Sequence, residues 1–567
     1  MPMPMPMPMP MPGAVPGAVP PRPPVPPQVR GPREPRTPWW QRDGVISRIL
    51  AVAGMAVTLI GVVMLLVLAA QAGFFGPVPR VVAGAVFSAG LVAAGTRVLG
   101  RTGGRVGGIA VVATGVAGAY LDVIAVTVSY HWLHPVLGLA VALGVAAGGV
   151  GLAMRWRSQP LAVLVVLGAA VLAPVLTTRP VLLAFLIVLQ LACVPVQVAR
   201  NWPSLHAART VPAALATLVF VAGAVLDVPA GERVWLLTAA AAVALVGLAG
   251  TIVVVRRRPT DVAASLTTAL ATAPMLIAPG MYHEWLDAVI IASTTATVLL
   301  MVAAIAMVPK LQAYARIPGH TAMVTAVAGA IAALEAGVGA TRPATLPVAL
   351  FLLALAFLGV AGQQRSRGAA GIGSAFVVLG GCTLWNVAGP GILASRNRSE
   401  VSLGVATTLG AVLALAVLAV ALWCARRLPG MASGSTVQWI AASIAGLYAV
   451  TVTAVSIGVA TGAPNGFVLG HGAATILWMI AATVVLLFGL RKLAAAPVVA
   501  KLALGSGLLV AGAAVVKLFL FDLATLDGLL RVAAFIAVGV LLLLVGTRYA
   551  RAFAEAGADS RSEGNTG

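Results

Sequence analysis

Four ionisable residues lie close together between two long apolar runs near the C-terminal end of the sequence: Lys517, Asp522, Asp527 and Arg531. Charge at the edge of a membrane is costly and is usually kept for a partner or a task. On a continuous helix Asp527 and Arg531 are neighbours and can pair, whereas Lys517 needs a partner on another helix. The stretch predicts a charged pocket or ion pathway, or else a helix start at Asp527 with Lys517 extended toward the surface.

Two short segments contain histidines at spacings that chemistry can use. His131 and His134, three residues apart, could bind a metal or shuttle protons, but no acidic third ligand stands nearby in the sequence. An aromatic belt at the membrane surface is the favoured interpretation of that segment. His283, Glu284 and Asp287 combine a base and two acids, as general acid–base catalysis requires, although a solvated loop accounts for them too.

Three further ionisable residues stand within or at the start of apolar runs. Asp122 and Glu335 are lone carboxylates there, and such a group needs either a partner or a proton. His471, which lies between two glycines, is a candidate partner. Together with the residues above, these form the candidate polar site.

The composition is that of an integral membrane protein. Of 567 residues, 60% are hydrophobic and 9% are charged, and the mean hydropathy is +1.03. Apolar runs of about 18 or more residues recur, each long enough to cross a hydrocarbon core of roughly 30 Å. The net charge of +21 resides mostly in short loops between these runs, so the bilayer, and not a nucleic acid, is the expected partner.

No cofactor or metal site is indicated by the sequence. Cys193, Cys382 and Cys424 lie in or at the end of apolar runs without a CxxC motif, which argues against both a disulfide framework and a thiolate metal site. The sequence contains no GxxxxGKS phosphate loop, so ATP-driven chemistry within this chain is not expected.

The fold predicted is an all-α polytopic bundle of about eighteen spans within a membrane domain over 39–551. Pro-rich residues 1–38 and residues 552–567 are predicted to be disordered cytoplasmic tails. The segment 160–199 could be two spans or one broken element. The predicted spans are 47–70, 80–98, 106–128, 135–154, 160–176, 180–199, 211–228, 234–255, 262–279, 285–308, 319–338, 345–362, 370–392, 401–424, 434–461, 467–489, 498–521 and 528–548.

The distribution of basic residues predicts that both termini face the cytoplasm. Lys and Arg concentrate in alternate loops, one of which is assigned Arg200 and Arg209. Most carboxylates and histidines of the membrane domain fall near the other face, so the candidate polar site is expected to face outward. Lys517 and Arg531 are predicted to lie within the membrane, and only six arginines are assigned to the outer loops: Arg80, Arg179, Arg233, Arg342, Arg396 and Arg398.

Several motifs resemble a family of predicted multi-pass bacterial membrane proteins, the domain of unknown function twenty-three thirty-nine. The most specific is K-x-F-L-F-D-L-x-x-L-x-G-L-x-R at 517–531, and further likeness lies at 40–46, 73–77, 158–162 and 471–478. The resemblance implies a large polytopic bundle in the cytoplasmic membrane and supplies no reaction or catalytic residue. Members usually begin with a coiled-coil or acidic helical tail, where this chain is Pro-rich.

The functional hypothesis is a transporter- or flippase-like, or envelope-assembly, role for an envelope lipid or lipid-linked sugar. It predicts a polar cavity lined by Asp122, Glu335 and Lys517. Two alternatives stay open: a membrane-embedded transferase using a lipid-linked substrate at the outer face, and a non-catalytic scaffold. The first predicted outer loop, 71–79, has no carboxylate, which counts against the familiar kind of transferase. Whether the protein is an enzyme, and its oligomeric state, are left open.

Overall fold

The computed structural model describes residues 61, 64, 76–99, 105–178, 180–226, 229–394, 403–428, 436–492, 497–519, 532, 534–544 and 547. Every regular element among these residues is helical, which confirms the predicted all-α polytopic bundle. The predicted tails at 1–38 and 552–567 lie outside the described residues.

Eighteen α-helices are numbered here in chain order, with a shorter apolar helix, α19, at Ala534–Leu544. The first nine are α1 Pro77–Leu99, α2 Arg105–Ile124, α3 Pro135–Arg155, α4 Gln159–Leu176, α5 Val181–Arg200, α6 Pro203–Leu226, α7 Ala230–Arg257, α8 Val262–Ile277 and α9 Trp285–Met307. The next nine are α10 Pro309–Ala315, α11 Gly319–Ala340, α12 Leu346–Gln364, α13 Arg367–Ala388, α14 Pro390–Ala394, α15 Val405–Arg427, α16 Thr436–Ala460, α17 Gly466–Arg491 and α18 Pro497–Lys517. A π turn, Ala125–Ser129, extends α2, and a 3-10 turn, Ala278–Met281, extends α8.

Within the described residues, 16 helices are long and apolar enough to span a membrane. They correspond one to one with the predicted spans from 80–98 to 498–521. The segment 160–199 forms two separate helices, α4 and α5. The predicted span 47–70 lies almost wholly outside the described residues, and α19 falls within the predicted span 528–548. One boundary was wrong: α6 begins at Pro203 and not near 211, so Arg209 lies in a helix and not in a loop.

Helix ends follow local chemistry. Proline opens α3 at its first position, where its missing N–H would have no helical partner. The Asp261 carboxylate accepts a hydrogen bond from the Ala264 N–H at 3.1 Å and caps α8. At the C-terminus of α5, Asn201 takes a left-handed conformation, with φ 54°, and ends the helix. These signals set where each apolar run turns back.

Hydrogen bonds between loops show which helix ends lie side by side. The Arg200 side chain donates to the Met154 carbonyl at 3.1 Å, and the Arg256 side chain donates to the Ala315 carbonyl at 2.8 Å. The Arg257 side chain donates to the Val198 carbonyl at 2.6 Å and links these two pairs. The regions around 156–158, 201–202, 258–261 and 316–318 therefore form one end of the bundle, called here the basic end. Its orientation toward the cytoplasm remains a prediction.

Glycines allow close helix contacts where lipid provides no hydrophobic force between helices. A Cβ at Gly108 of α2 would lie 2.9 Å from the Gly95 carbonyl of α1, and one at Gly470 of α17 would lie 2.6 Å from the Val455 Cα of α16. Larger apolar clusters fill the interior between α2 and α6 and between α11 and α16. A further apolar cluster joins Met479 and Ala482 of α17 to Val510 and Ala514 of α18, with Leu447 of α16 packed against it, and it holds these three helices together next to Lys517.

Candidate functional site

Lys517 and His471, both candidates from the sequence, lie together. Lys517 ends α18, and its Nζ donates to the His471 carbonyl oxygen at 3.0 Å and to Thr475 Oγ1 at 2.6 Å. His471 and Thr475 are four residues apart on α17, so one face of that helix supplies both acceptors. The structure thereby holds the ammonium group against α17.

The His471 ring is fixed by a broken helix. Pro390 interrupts the run from α13 into α14, because proline cannot donate a helical hydrogen bond. His471 Nε2 lies 2.9 Å from the Leu393 carbonyl of α14, and since a carbonyl only accepts, Nε2 donates. The Phe467 ring packs edge-on against the imidazole, with 4.7 Å between centroids. The imidazole therefore joins α14 to α17.

A cavity of about 560 Å³ borders this group and is called here the Lys517 cavity. Tyr448 Oη donates to the Leu384 and Ala388 carbonyls at 3.3 and 3.1 Å, near the break after α13. Apolar side chains with large exposed fractions stand at its edge, among them Ile444 at 58% and Leu509 at 43%. Its lining is Pro390, Leu393, Ala394, Ile444, Leu447, Tyr448, Thr451, His471, Trp478, Leu509, Ala513 and Lys517.

The Lys517 cavity combines an ammonium group, aromatic rings and apolar walls. The Trp478 indole N–H donates to the Leu447 carbonyl at 3.1 Å. Because exposed apolar side chains of a membrane bundle face lipid, the edge at Ile444 and Leu509 offers access from the bilayer. The arrangement suits an amphiphile with an anionic group and an apolar body.

Asp122 lies in a different cavity, of about 680 Å³, between α1, α2 and α3. It is the ionisable residue of that lining, and Ser88 adds a hydroxyl to otherwise apolar walls. Its Oδ2 is buried and has no hydrogen-bond partner among the described residues. A Cβ at Gly84 of α1 would collide with the Asp122 carboxylate, so this glycine makes room for it.

Glu335 is half-buried on α11, and its Oε2 likewise has no hydrogen-bond partner within the described part of the chain. It lines neither the Asp122 cavity nor the Lys517 cavity. Asp122 and Lys517 therefore line two separate cavities of the described residues, and Glu335 lines neither, so neither of these is the predicted cavity lined by all three.

His131 and His134 are exposed and have local structural roles. His131 adopts a left-handed conformation, with φ 55°, in the turn after the π extension of α2. His134 caps α3, with its Nδ1 accepting from the Val136 N–H at 3.4 Å. Tyr130 and Trp132 stack at 5.1 Å between centroids, in keeping with the aromatic interpretation of this segment.

His283, Glu284 and Asp287 are all exposed at the start of α9. Burial raises the pKa of the neighbouring Tyr282 phenol, and the Asp287 carboxylate raises it further, while Arg233 lowers it. Across the described residues, no three or more His, Cys, Asp or Glu side chains are grouped to hold a metal ion. Asp522, Asp527 and Arg531 lie outside the described residues.

A buried polar cluster centred on Arg209 was not predicted from the sequence. Arg209 is 2% exposed and His206 1% exposed, both on α6. Arg209 Nε donates to Gln197 Oε1 at 2.9 Å, and Nη1 donates to the Gln190 carbonyl at 3.2 Å. Arg209 Nη2 lies 3.3 Å from His206 Nδ1. His206, Arg209 and Thr210 share one face of a helix, and so do Gln190 and Gln197. This spacing of polar residues in the sequence could have predicted that the two faces meet.

The cluster extends through hydroxyl groups into α7 and α8. Because a guanidinium only donates, His206 Nδ1 accepts and Nε2 carries the hydrogen. His206 Nε2 lies 2.9 Å from Thr267 Oγ1 and 3.0 Å from Thr251 Oγ1. Thr268 in turn donates to Thr251 at 2.8 Å. A continuous hydrogen-bonded layer therefore crosses four helices near the basic end.

The all-helical fold, with 16 described helices long and apolar enough to span a membrane, places the chain among polytopic α-helical membrane proteins. Its sequence matches the family described as "Predicted membrane protein (DUF2339)" over residues 47–453 and again over 366–552. These matches cover most of the chain, and the protein belongs to this family. Searches of curated proteins and of solved structures returned no match.

Proposed function

We propose that this protein is a transporter- or flippase-like carrier of the cytoplasmic membrane that binds the anionic headgroup of an envelope lipid or lipid-linked sugar in the Lys517 cavity. The observation that carries the proposal is the position of the Lys517 ammonium on the wall of a cavity whose edge is apolar and exposed. The ammonium group at this wall gives the cavity positive charge, which attracts an anionic group of a ligand.

The walls of the Lys517 cavity support an amphiphilic ligand. Tyr448 and Trp478 offer flat apolar surface, and their polar tips are already engaged by backbone carbonyls. Pro390 breaks the helix beside the cavity, as in carriers whose substrate sites are built at discontinuous helices. A scaffold would need neither the cavity nor the break, so these features favour the carrier over the scaffold.

The transferase alternative has less support. Its candidate acid–base residues, His283, Glu284 and Asp287, are exposed and line neither the Lys517 cavity nor the Asp122 cavity. General acid–base catalysis needs the reacting group held within hydrogen-bond reach and sheltered from competing water. Because these three side chains are exposed, their position is more typical of a solvated loop than of a catalytic site.

The test is lipid movement across reconstituted vesicles. Full-length protein is placed in phosphatidylcholine vesicles containing fluorescent phosphatidylglycerol, and dithionite quenching reports the rate of transbilayer movement. Lys517→Gln is expected to slow this movement by at least about tenfold, because it removes a charged hydrogen bond worth about 1.5–3 kcal/mol. Lys501→Gln, on an exposed position of the same helix, is the matched control and is expected to leave the rate unchanged.

A second variant tests the contribution of the cavity separately from that of the Lys517 charge. Ala513→Leu fills the Lys517 cavity without altering Lys517, whereas Gly512→Leu adds the same side chain where no atom stands within 4 Å. Ala513→Leu is expected to slow movement and Gly512→Leu is not. Equal rates for wild type, Lys517→Gln and Ala513→Leu, all with wild-type size-exclusion profiles, would contradict the proposal.

A further inference from the structure

The buried Arg209 cluster borders a cavity of its own, of about 340 Å³, between α5 and α7. It is called here the Arg209 cavity and is lined by Leu191, Val194, Gln197, Val198, Arg209, Leu245, Val246, Ala249, Gly250 and Val253. We infer that this cavity binds an anionic phospholipid, with the lipid phosphate on the Arg209 guanidinium and an acyl chain along α5 and α7.

The guanidinium has donors left for a ligand. An arginine side chain carries five N–H groups. One on Nε is used by Gln197, one on Nη1 by the Gln190 carbonyl, and one on Nη2 by His206. Each Nη nitrogen therefore keeps one hydrogen, and a planar guanidinium can present such a pair to two oxygens of one phosphate.

The charge of Arg209 is not balanced by a carboxylate of the described residues. Its three partners there are an amide oxygen, a backbone carbonyl and a histidine that must be neutral to accept. Burying one charge without its opposite is strongly unfavourable, whereas a charge that is hydrogen-bonded and paired is tolerated. An anion in the adjoining cavity supplies the missing charge.

Glycine at 250 keeps the cavity open to the guanidinium. A Cβ at Gly250 would collide with Arg209 Nη2 and would lie 2.8 Å from the His206 ring. Only a residue without a side chain lets α7 pass this close to the cluster. The guanidinium thus lies at the cavity wall and is not sealed behind α7.

The cavity walls and the surrounding charge favour a lipid over a free ion. Except for Gln197 and Arg209, the lining is apolar or glycine, and Leu191 at its edge is 49% exposed. Arg209 lies six residues into α6, about 9 Å along the helix from its start at the basic end. Arg200, Arg256 and Arg257 at that end attract anionic headgroups.

The Arg209 cavity is distinct from the Lys517 cavity, and its argument stands without the proposed carrier activity. Lys517 lies at the last residue of α18, on helices that contribute nothing to the Arg209 cavity. Binding is therefore measured in a Lys517→Gln background, so that lipid held at Lys517 does not contribute to the signal.

Purified full-length protein is titrated with phosphatidylglycerol, with phosphatidylcholine and with inorganic phosphate, and bound ligand is counted by native mass spectrometry. Phosphatidylglycerol is expected to bind, and Arg209→Gln is expected to weaken that binding by at least about tenfold. Val194→Trp, which fills the cavity from α5, is expected to weaken it as much. Val188→Trp, an exposed α5 position outside the cavity lining, is the matched control and is expected to bind as the parent does.

Three results would overturn the inference. Equal phosphatidylglycerol binding by the parent and by Val194→Trp would show that the cavity is not the site. Because Val194→Trp keeps Arg209, this comparison remains available even if Arg209→Gln does not fold. Phosphatidylcholine binding as tightly as phosphatidylglycerol would exclude recognition of net negative charge. Displacement of the lipid by millimolar inorganic phosphate, with the phosphate then retained, would assign the guanidinium to a free ion.

Discussion

Two cations, the buried Arg209 and the partly buried Lys517, organise the polar chemistry of the described part of this bundle. Lys517 donates to a carbonyl and a hydroxyl of α17, and Arg209 donates to a glutamine, a carbonyl and a histidine. The Arg209 acceptors orient its guanidinium without neutralising it. At the residue scale, therefore, the Arg209 cluster keeps positive charge available to a ligand, and the contacts of Lys517 hold its ammonium group at the wall of its cavity.

Gly250 offers a direct check on the Arg209 cluster. Gly250→Ala is expected to destabilise the protein by about 1–3 kcal/mol, because the new methyl group collides with Arg209 and His206 in a packed region. Gly151→Ala on α3, where no atom stands within 4 Å, is expected to be neutral or slightly stabilising, since alanine favours the helix. Thermal unfolding in detergent measures both, and an unchanged midpoint for Gly250→Ala would contradict this geometry.

At the scale of elements, the contact between α16 and α17 determines where His471 and Thr475 meet Lys517. A Cβ at Gly470 would lie 2.6 Å from the Val455 Cα and 2.8 Å from the Ala454 carbonyl, and backbone atoms cannot move aside as a flexible side chain can. The Gly458 and Gly466 backbones also approach each other closely. The Lys517 cavity thus depends on helix packing one residue away from His471.

Gly470→Ala is accordingly expected to separate α16 from α17, to lower the unfolding midpoint and to slow phosphatidylglycerol movement in the vesicle assay. Gly505→Ala on α18, where no atom stands within 4 Å, is the control and is expected to change neither quantity. If Gly470→Ala retained both the stability and the transport rate of the wild type, the close contact would have no part in forming the site.

Hydropathy predicted nearly every spanning helix because a membrane requires long apolar runs, and their lengths are set by the bilayer. The boundary error at α6 has a physical cause as well. Pro203 to Thr210 contains His206 and Arg209, and polar residues at a predicted helix end resemble a loop until neighbouring helices are known to bury them. Lys517 and His471 lie on different helices, and they meet because of tertiary packing. Residue spacing within one helix does not show which other helix lies beside it.

At the scale of the whole molecule, many arginines of the described residues collect at one end of the bundle. The basic end collects Arg155, Arg200, Arg256, Arg257 and Arg316, together with the neighbouring Arg209 cluster. The Lys517 cavity lies at the end of α18 that is remote from Lys501. If consecutive spans alternate in direction, one cationic cavity lies toward each face, an arrangement suited to a carrier that exchanges an anionic lipid between leaflets.

The predicted orientation can be tested by labelling single cysteines from one side. In a background with Cys193, Cys382 and Cys424 replaced by alanine, His131→Cys and His283→Cys are expected to react with a membrane-impermeant maleimide in intact cells. Both native side chains are exposed, so access depends on sidedness and not on burial. Arg258→Cys, at the basic end, is expected to react only after permeabilisation, because basic loops are retained in the cytoplasm. Labelling of Arg258→Cys in intact cells, with His131→Cys protected, would show that the bundle has the opposite orientation in the membrane. It would place the Lys517 cavity toward the cytoplasm and leave the contacts within each cavity unchanged.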